Sequence, residues 1–182
     1  MKRVFMLLAV ALMAVAAMAL SGVAQADSPR DDCRERAQSL TGSTLTNYTF
    51  VVGTADRNIF TSTNVRAEVF CGFDGGDHVS YLSGTDIFIG GKGTDSVDSN
   101  GGRFYGGDGK DSVDDNFYGS FYGGAGGDFV DRNFGSPKRV SFNGGVGVDY
   151  IVQMFSGTFD GGDDTDDDYV VDYYDGRLVN VP

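Results

Sequence analysis

From residue 70 onward one arrangement of apolar and polar positions recurs. A Phe stands at 70, 88, 104, 121, 142 and 159, two positions before a glycine that opens a six-residue loop: GFDGGD from 72, GGKGTD from 90, GGDGKD from 106, GGAGGD from 123, GGVGVD from 144 and GGDDTD from 161. A β-branched residue follows the closing Asp by two positions in five of them, at Val79, Val97, Val113, Val130 and Ile151. The loops start 18, 16, 17, 21 and 17 residues apart, and each unit reads loop, strand, turn, strand. A unit of about 17 residues cannot bury a core alone, but stacked units align equivalent side chains into a continuous one. The pattern predicts an all-β fold over 47–182: a right-handed parallel β-roll or β-helix solenoid of about six turns. Phe88, Phe104, Phe121, Phe142 and Phe159 form an aromatic ladder in it, and Val97, Val113, Val130 and Ile151 an aliphatic one.

Upstream, Ser28-Pro29-Arg30-Asp31 reads as an N-cap with Pro at N1 and an acid at N3. Cys33, Ala37 and Leu40 then share a face until Gly42, so residues 27–46 are expected to hold a short capping helix. Residues 47–70 turn β-branched and aromatic and read as strands. Asp175-Gly176 fits a hairpin turn joining Tyr169–Tyr174 to Arg177–Val181 as a cap at the other end.

The first 26 residues read differently. Lys2 and Arg3 precede an apolar run from Val4 to Leu20, and Ala24-Gln25-Ala26 has the small-x-small form of a cleavage site. This predicts a signal peptide at 1–26, a secreted chain starting at Asp27 and no stable membrane anchor; an uncleaved anchor is the rival reading. An oxidising compartment makes Cys33 and Cys71, the only two cysteines, an expected disulfide, while two Cys and one His are too few for a zinc site.

The net charge of −12 argues against nucleic acid as a partner. Of the 26 acids, 24 are Asp and only Glu35 and Glu68 are Glu, and residues 72–182 carry 20 Asp against 7 bases. Stacking explains the short carboxylate. Asp77, Asp95, Asp111, Asp128 and Asp149 close equivalent loops, so their side chains form a column at the strand spacing of about 4.8 Å. Each adjacent like-charged pair costs about 0.9 kcal/mol in bulk water and about 3.5 kcal/mol at an effective dielectric of 20. A counter-ion is required, and glycine corners that turn carbonyls inward, with no Cys or His donors in the loops, favour a hard divalent cation. Calcium suits this better than magnesium because it accepts six to eight oxygens in loose geometry.

GGKGTDSVD, GGDGKDSVD and GGAGGDFVD resemble the hemolysin-type calcium-binding (RTX) nonapeptide repeat of secreted bacterial proteins, G-G-x-G-x-D-x-U-x. The resemblance covers about 70–177 and is partial in the first loop and the last two. It implies a parallel β-roll with calcium between adjacent turns, held by Asp95, Asp111, Asp128 and Asp149, with Asp77, and by the carbonyls of Gly90, Lys92, Gly106, Asp108, Gly123, Ala125, Gly144 and Val146. In the last loop Asp166, by loop count, or Asp168, by strand register, or both take the ligand position. The second half of each unit lacks the pattern, so one row of metal is expected, and the longer 123-to-144 step puts its shared site in question. Gly135-Ser136-Pro137-Lys138-Arg139 in that step reads as a bulging loop.

No catalytic signature accompanies these residues: Gly-x-Ser-x-Gly, His-Glu-x-x-His and a phosphate-loop Lys are missing, and His78 is the only histidine. The expected function is a structural or interaction module stabilised by calcium, and not an enzyme. The alternatives are a calcium-dependent module for extracellular polysaccharide or cell surfaces, stacking sugars on Tyr105, Tyr118 and Tyr122, or a small polysaccharide-acting enzyme.

Overall fold

The computed structural model describes residues 28–135, 140–162 and 165–181. The predicted signal peptide, residues 136–139 of the expected bulge and Asp163 and Asp164 lie outside them.

The chain winds as a parallel β-solenoid of two facing sheets. The first sheet takes the odd strands β1 (Thr49–Val52), β3 (Glu68–Asp74), β5 (Ile87–Gly93), β7 (Arg103–Gly109), β9 (Ser120–Ala125), β11 (Ser141–Val146), β13 (Thr158–Asp160) and β15 (Arg177–Val179). The second takes β2 (Ile59–Phe60), β4 (His78–Leu82), β6 (Ser96–Asn100), β8 (Ser112–Asn116), β10 (Phe129–Asn133), β12 (Tyr150–Met154) and β14 (Tyr169–Tyr173). This makes about seven turns against the six expected. The added turn is the β1–β2 coil, which has no glycine loop of the repeating form to announce it.

Inward side chains build the core as the repeat predicts. The rings of Phe88, Phe104, Phe121, Phe142 and Phe159 stack at 4.9, 4.7, 4.8 and 5.0 Å, within 9° of parallel. Val79, Val97, Val113, Val130 and Ile151 face them from the second sheet, all buried. Phe60 lies against Phe70 and Phe88 at the N-terminal end.

Two local readings are corrected. The six-residue loops are shorter than the sequence suggests: strands of the first sheet continue through the first four loop positions in β5 and β7, leaving Thr94-Asp95 and Lys110-Asp111 as the corners. This is possible because the glycines at the second and fourth loop positions take positive φ. At Gly93, φ is 131° and the main chain of Gly75 in the preceding coil occupies the space a Cβ would need. Second, residues 169–181 are not a hairpin. β14 pairs with β12 and β15 with β13, both parallel, so Asp175-Gly176 is another corner between the sheets. The ring of Tyr174 stacks on Phe155 from the previous corner at 4.8 Å, which holds the chain to the solenoid path.

Helix α1 (Pro29–Thr41) starts at Ser28, whose Oγ accepts from Asp31 N–H, and ends at Gly42 with φ 65°. That serine also donates to the Asp31 carboxylate, which holds the carboxyl below its usual value. The helix lies on the outward face of the first sheet. Cys33 and Ala37 are buried against Phe50, Val69, Cys71, Ile87 and Ile89, and the Cys33–Cys71 disulfide is formed. Leu40, expected on the buried face, is 47 % exposed, and its carbonyl accepts from Tyr105 Oη.

Candidate metal centre

Register brings the closing aspartates together. Asp95↔Asp111 and their equivalents sit at the corner where a first-sheet strand passes into a second-sheet strand, and pairing on both sides keeps successive corners aligned. Asp77, Asp95, Asp111, Asp128, Asp149 and Asp168 are at most 3 % exposed.

One oxygen of each carboxylate is committed to the backbone. The N–H of Asn58 donates to Asp77 Oδ1 at 2.6 Å, and the N–H groups of Asp77, Asp95, Asp111, Asp128 and Asp149 donate to Oδ1 of the Asp one coil further on at 2.6–2.7 Å. An aspartate fits here because its Oδ1 reaches the main chain of the preceding coil directly; a glutamate would add a methylene to a closed corner.

The other oxygens of Asp77, Asp95, Asp111 and Asp128 are buried without a hydrogen-bond partner. Each faces the Cα of the first loop glycine, so that a Cβ on Gly72, Gly90, Gly106 or Gly123 would overlap Oδ2. The same Cβ would come within 2.5–2.7 Å of the carbonyl oxygen of Gly90, Gly106, Gly123 or Gly144 in the next coil. Carboxylate and carbonyl oxygens therefore converge on one small space per step, opposite a residue that has to lack a side chain.

Burial dominates the electrostatics. It pushes the Asp77 carboxyl up from its usual 3.8 and takes Asp95 to about 6, Asp111 to about 8 and Asp128 to about 6, although the main-chain donor to Oδ1 pulls each down. Asp111, mid-column, is also raised by Asp128 and Asp95. The column is thus costly to hold charged unless something positive, or a proton, meets Oδ2.

An all-oxygen donor set of this kind fits a hard divalent ion. Among the described residues no group of three or more His, Cys, Asp or Glu side chains gathers around one point. The corner offers instead one carboxylate per coil plus main-chain oxygens. Main-chain oxygens here also serve the sheet: at the third loop position Val146 O accepts from Gly126 N–H at 2.7 Å, and at the first Gly161 O accepts from Gly145 N–H at 3.0 Å, while Lys92, Asp108 and Ala125 pair in register along their strands. The inserted residues between β10 and β11 do not break the column, since Asp128 N–H still reaches Asp149 Oδ1 at 2.6 Å. In the last loop Asp168 takes the column position, receiving Asp149 N–H at 2.7 Å and facing Gly161, while Asp166 is exposed and gives its carbonyl to Asp168 N–H.

The sequence reading missed a second polar column at the opposite corner. Asn100 Nδ2 donates to Asn116 Oδ1 at 3.0 Å, Asn116 to Asn133 at 2.8 Å, and Asn133 to Ser156 O at 2.8 Å, all buried. Its signal was present in VDSN, VDDN and VDRN, each with Asn five positions after the column Asp. Also missed was Asp86, buried and accepting from Ser62 Oγ, Ser83 Oγ and Glu68 N–H, which ties the long 61–67 segment to the first repeat.

The remaining singled-out residues are apart from the column. His78 lies on the outer face of the second sheet, within hydrogen-bond reach of Ser96 and Ser80. Tyr105 and Tyr122 stack on each other at 4.8 Å on the first sheet, whereas Tyr118 packs edge-on against Phe117 at a corner. Comparison with protein-family models, curated proteins and solved structures found no match.

Proposed function

We propose that the protein is an exported solenoid of the hemolysin-type repeat kind, stabilised by calcium and serving as a structural or interaction module without catalysis. The reading rests on the buried Oδ2 atoms of Asp77, Asp95, Asp111 and Asp128, which have no protein donor and share their space with inward glycine carbonyls. Bound there, a divalent ion supplies the positive charge that offsets adjacent carboxylates. The chain's own part is to fix Oδ1 through the preceding main-chain N–H, leaving Oδ2 aimed inward, and to keep the corner closed to water. Asp149 and Asp168 extend the ligand row, and the carbonyls of Gly90, Gly106, Gly123 and Gly144 complete it. The disulfide supports export to an oxidising compartment.

The polysaccharide reading has less support. Tyr105 and Tyr122 hide one ring face each in their mutual stack, and Tyr118 belongs to a different surface, so no common platform of open ring faces results.

Thermal unfolding followed by circular dichroism, with calcium and then with chelator, tests the proposal. A ligand that binds only the folded form at 100 times its Kd adds about 2.7 kcal/mol per site. A melting curve that does not move between the two conditions rejects it.

A further inference from the structure

The outer face of the second sheet changes character along the solenoid axis. One outward column runs His78, Ser96, Ser112, Phe129, Tyr150, Tyr169, in register from β4 to β14. The next, one residue after the buried aliphatic column, runs Ser80, Asp98, Asp114, Asp131, Val152, Val171. The middle coils thus carry a ladder of surface acids and the later coils a ladder of aromatic and aliphatic side chains. Phe129, Tyr150 and Tyr169 stack at 5.3 and 5.1 Å, and Tyr169 and Val171 are 45 % and 59 % exposed. Polar alternation is what an outward sheet face ordinarily shows, and an apolar continuation marks an interaction surface.

Among the described residues the acids are short of cations. Asp98, Asp114 and Asp131 stand one strand spacing apart, and burial together with the Asp98, Asp131 and Asp115 carboxylates pushes the Asp114 carboxyl up. Arg132 is spent on Asp115, with Nε 2.6 Å from Oδ1, and lies 3.9 Å from Asp131; His78 Nε2 lies 3.5 Å from Asp98. A second copy of the chain would add another strongly acidic molecule, since the sequence carries net charge −12, whereas a basic partner complements it.

We propose that this face docks a basic amphipathic polypeptide lying along the solenoid axis, its cationic residues over Asp98, Asp114 and Asp131 and its apolar residues over Tyr150, Tyr169, Val152 and Val171. The inference goes beyond the calcium reading, because these side chains all point outward and do not take part in the corner column.

The probe is a labelled synthetic peptide with a lysine block followed by a leucine and tyrosine block, followed by fluorescence anisotropy with calcium and again with chelator. Binding that weakens about tenfold or more in D98N/D114N/D131N and falls with salt supports the charge half. About tenfold weaker binding in Y169S/V171S supports the apolar half; Val171→Asp alone gives the same reading without removing a ring from the stack. Equal binding of a glutamate-for-lysine peptide, or binding indifferent to both sets of substitutions, overturns the proposal. So does concentration-dependent self-association abolished by Val171→Asp, which would assign the face to a second copy, or retention of a polysaccharide lost in the same variants. Binding that persists when calcium leaves the melting curve unchanged upholds the docking face while removing the metal reading.

Discussion

The main-chain N–H of Asp111 donates to Oδ1 of Asp128, one coil further on, at 2.7 Å, while the second oxygen of Asp128 is buried without a donor. Each column aspartate thus has two separable roles, a main-chain acceptor and an inward charge. Asp111→Asn keeps the acceptor for Asp95 N–H and removes the charge. Its expected effect is a higher melting temperature in chelator and a smaller rise on adding calcium. Asp111→Ala removes the acceptor as well and is expected to cost about 1–3 kcal/mol under both conditions. Denaturant unfolding of the two variants separates the roles.

Without metal, stability depends on pH in the direction set by raised carboxyls. Asp95 and Asp128 at about 6 and Asp111 at about 8 stand above the usual 3.8, so the folded chain binds more protons than the unfolded one between these values. Stability from these groups is fully present below about pH 4 and is lost as pH rises through 6 to 8. In chelator the melting temperature is expected to be higher at pH 5 than at pH 8. In calcium this fall is expected to flatten or reverse, since the ion binds the deprotonated form. Parallel melts across that range decide it.

Glycine is required where the column meets the first loop position. A Cβ at Gly106 overlaps Asp111 Oδ2 and lies 2.6 Å from Gly123 O, so Gly106→Ala has to displace a buried carboxylate or the backbone. A loss of about 1–3 kcal/mol or more is expected, together with weaker calcium stabilisation. Gly84→Ala is the control: its nearest neighbour is Gly101 O at 3.5 Å, and its effect should stay within about 0.5 kcal/mol.

The asparagine column carries stability without a metal. Asn116 accepts from Asn100 and donates to Asn133 and to Ser141 O, so Asn116→Ala leaves buried groups in two neighbouring coils without partners. A cost of about 2–4 kcal/mol is expected, equal in calcium and chelator, measured by denaturant unfolding.

Helix α1 depends on its disulfide. Its buried side chains are Cys33 and Ala37, and its other holds are Arg34 over Phe50 at 5.2 Å, Arg36 over Phe73 at 5.0 Å and the Tyr105–Leu40 hydrogen bond. A 13-residue helix is marginal alone in water. In Cys33→Ser/Cys71→Ser, amides of 30–41 are expected to exchange much faster while those of β7 to β11 stay protected. Hydrogen exchange read by mass spectrometry distinguishes this from loss of the whole fold.

The core columns were legible because their spacing is linear in the sequence: a Phe two before each loop and an aliphatic two after each Asp are enough to stack coils. The β1–β2 coil was legible as strands but not as a full turn, since its second half is held by Asp77 Oδ1 on Asn58 N–H and by Asp86 on Ser62 Oγ, contacts made from later in the chain. Tyr169–Tyr174 and Arg177–Val181 read as a hairpin because Asp-Gly is a turn signal for antiparallel neighbours and equally a corner for parallel coils; pairing partners 19 residues away decide between them. Asp168 rather than Asp166 joins the column for the same reason, strand register outweighing loop count.

Between β10 and β11 the chain spends seven residues, 134–140, where three, 117–119, suffice between β8 and β9. Yet Ser120↔Ser141 through Ala125↔Val146 stay in step on the next strand pair. Repeat length is therefore not a constraint on this architecture so long as extra residues leave at a corner remote from the carboxylates. That corner is a natural splice point, where foreign loops could be displayed on a rigid rod without altering its pitch.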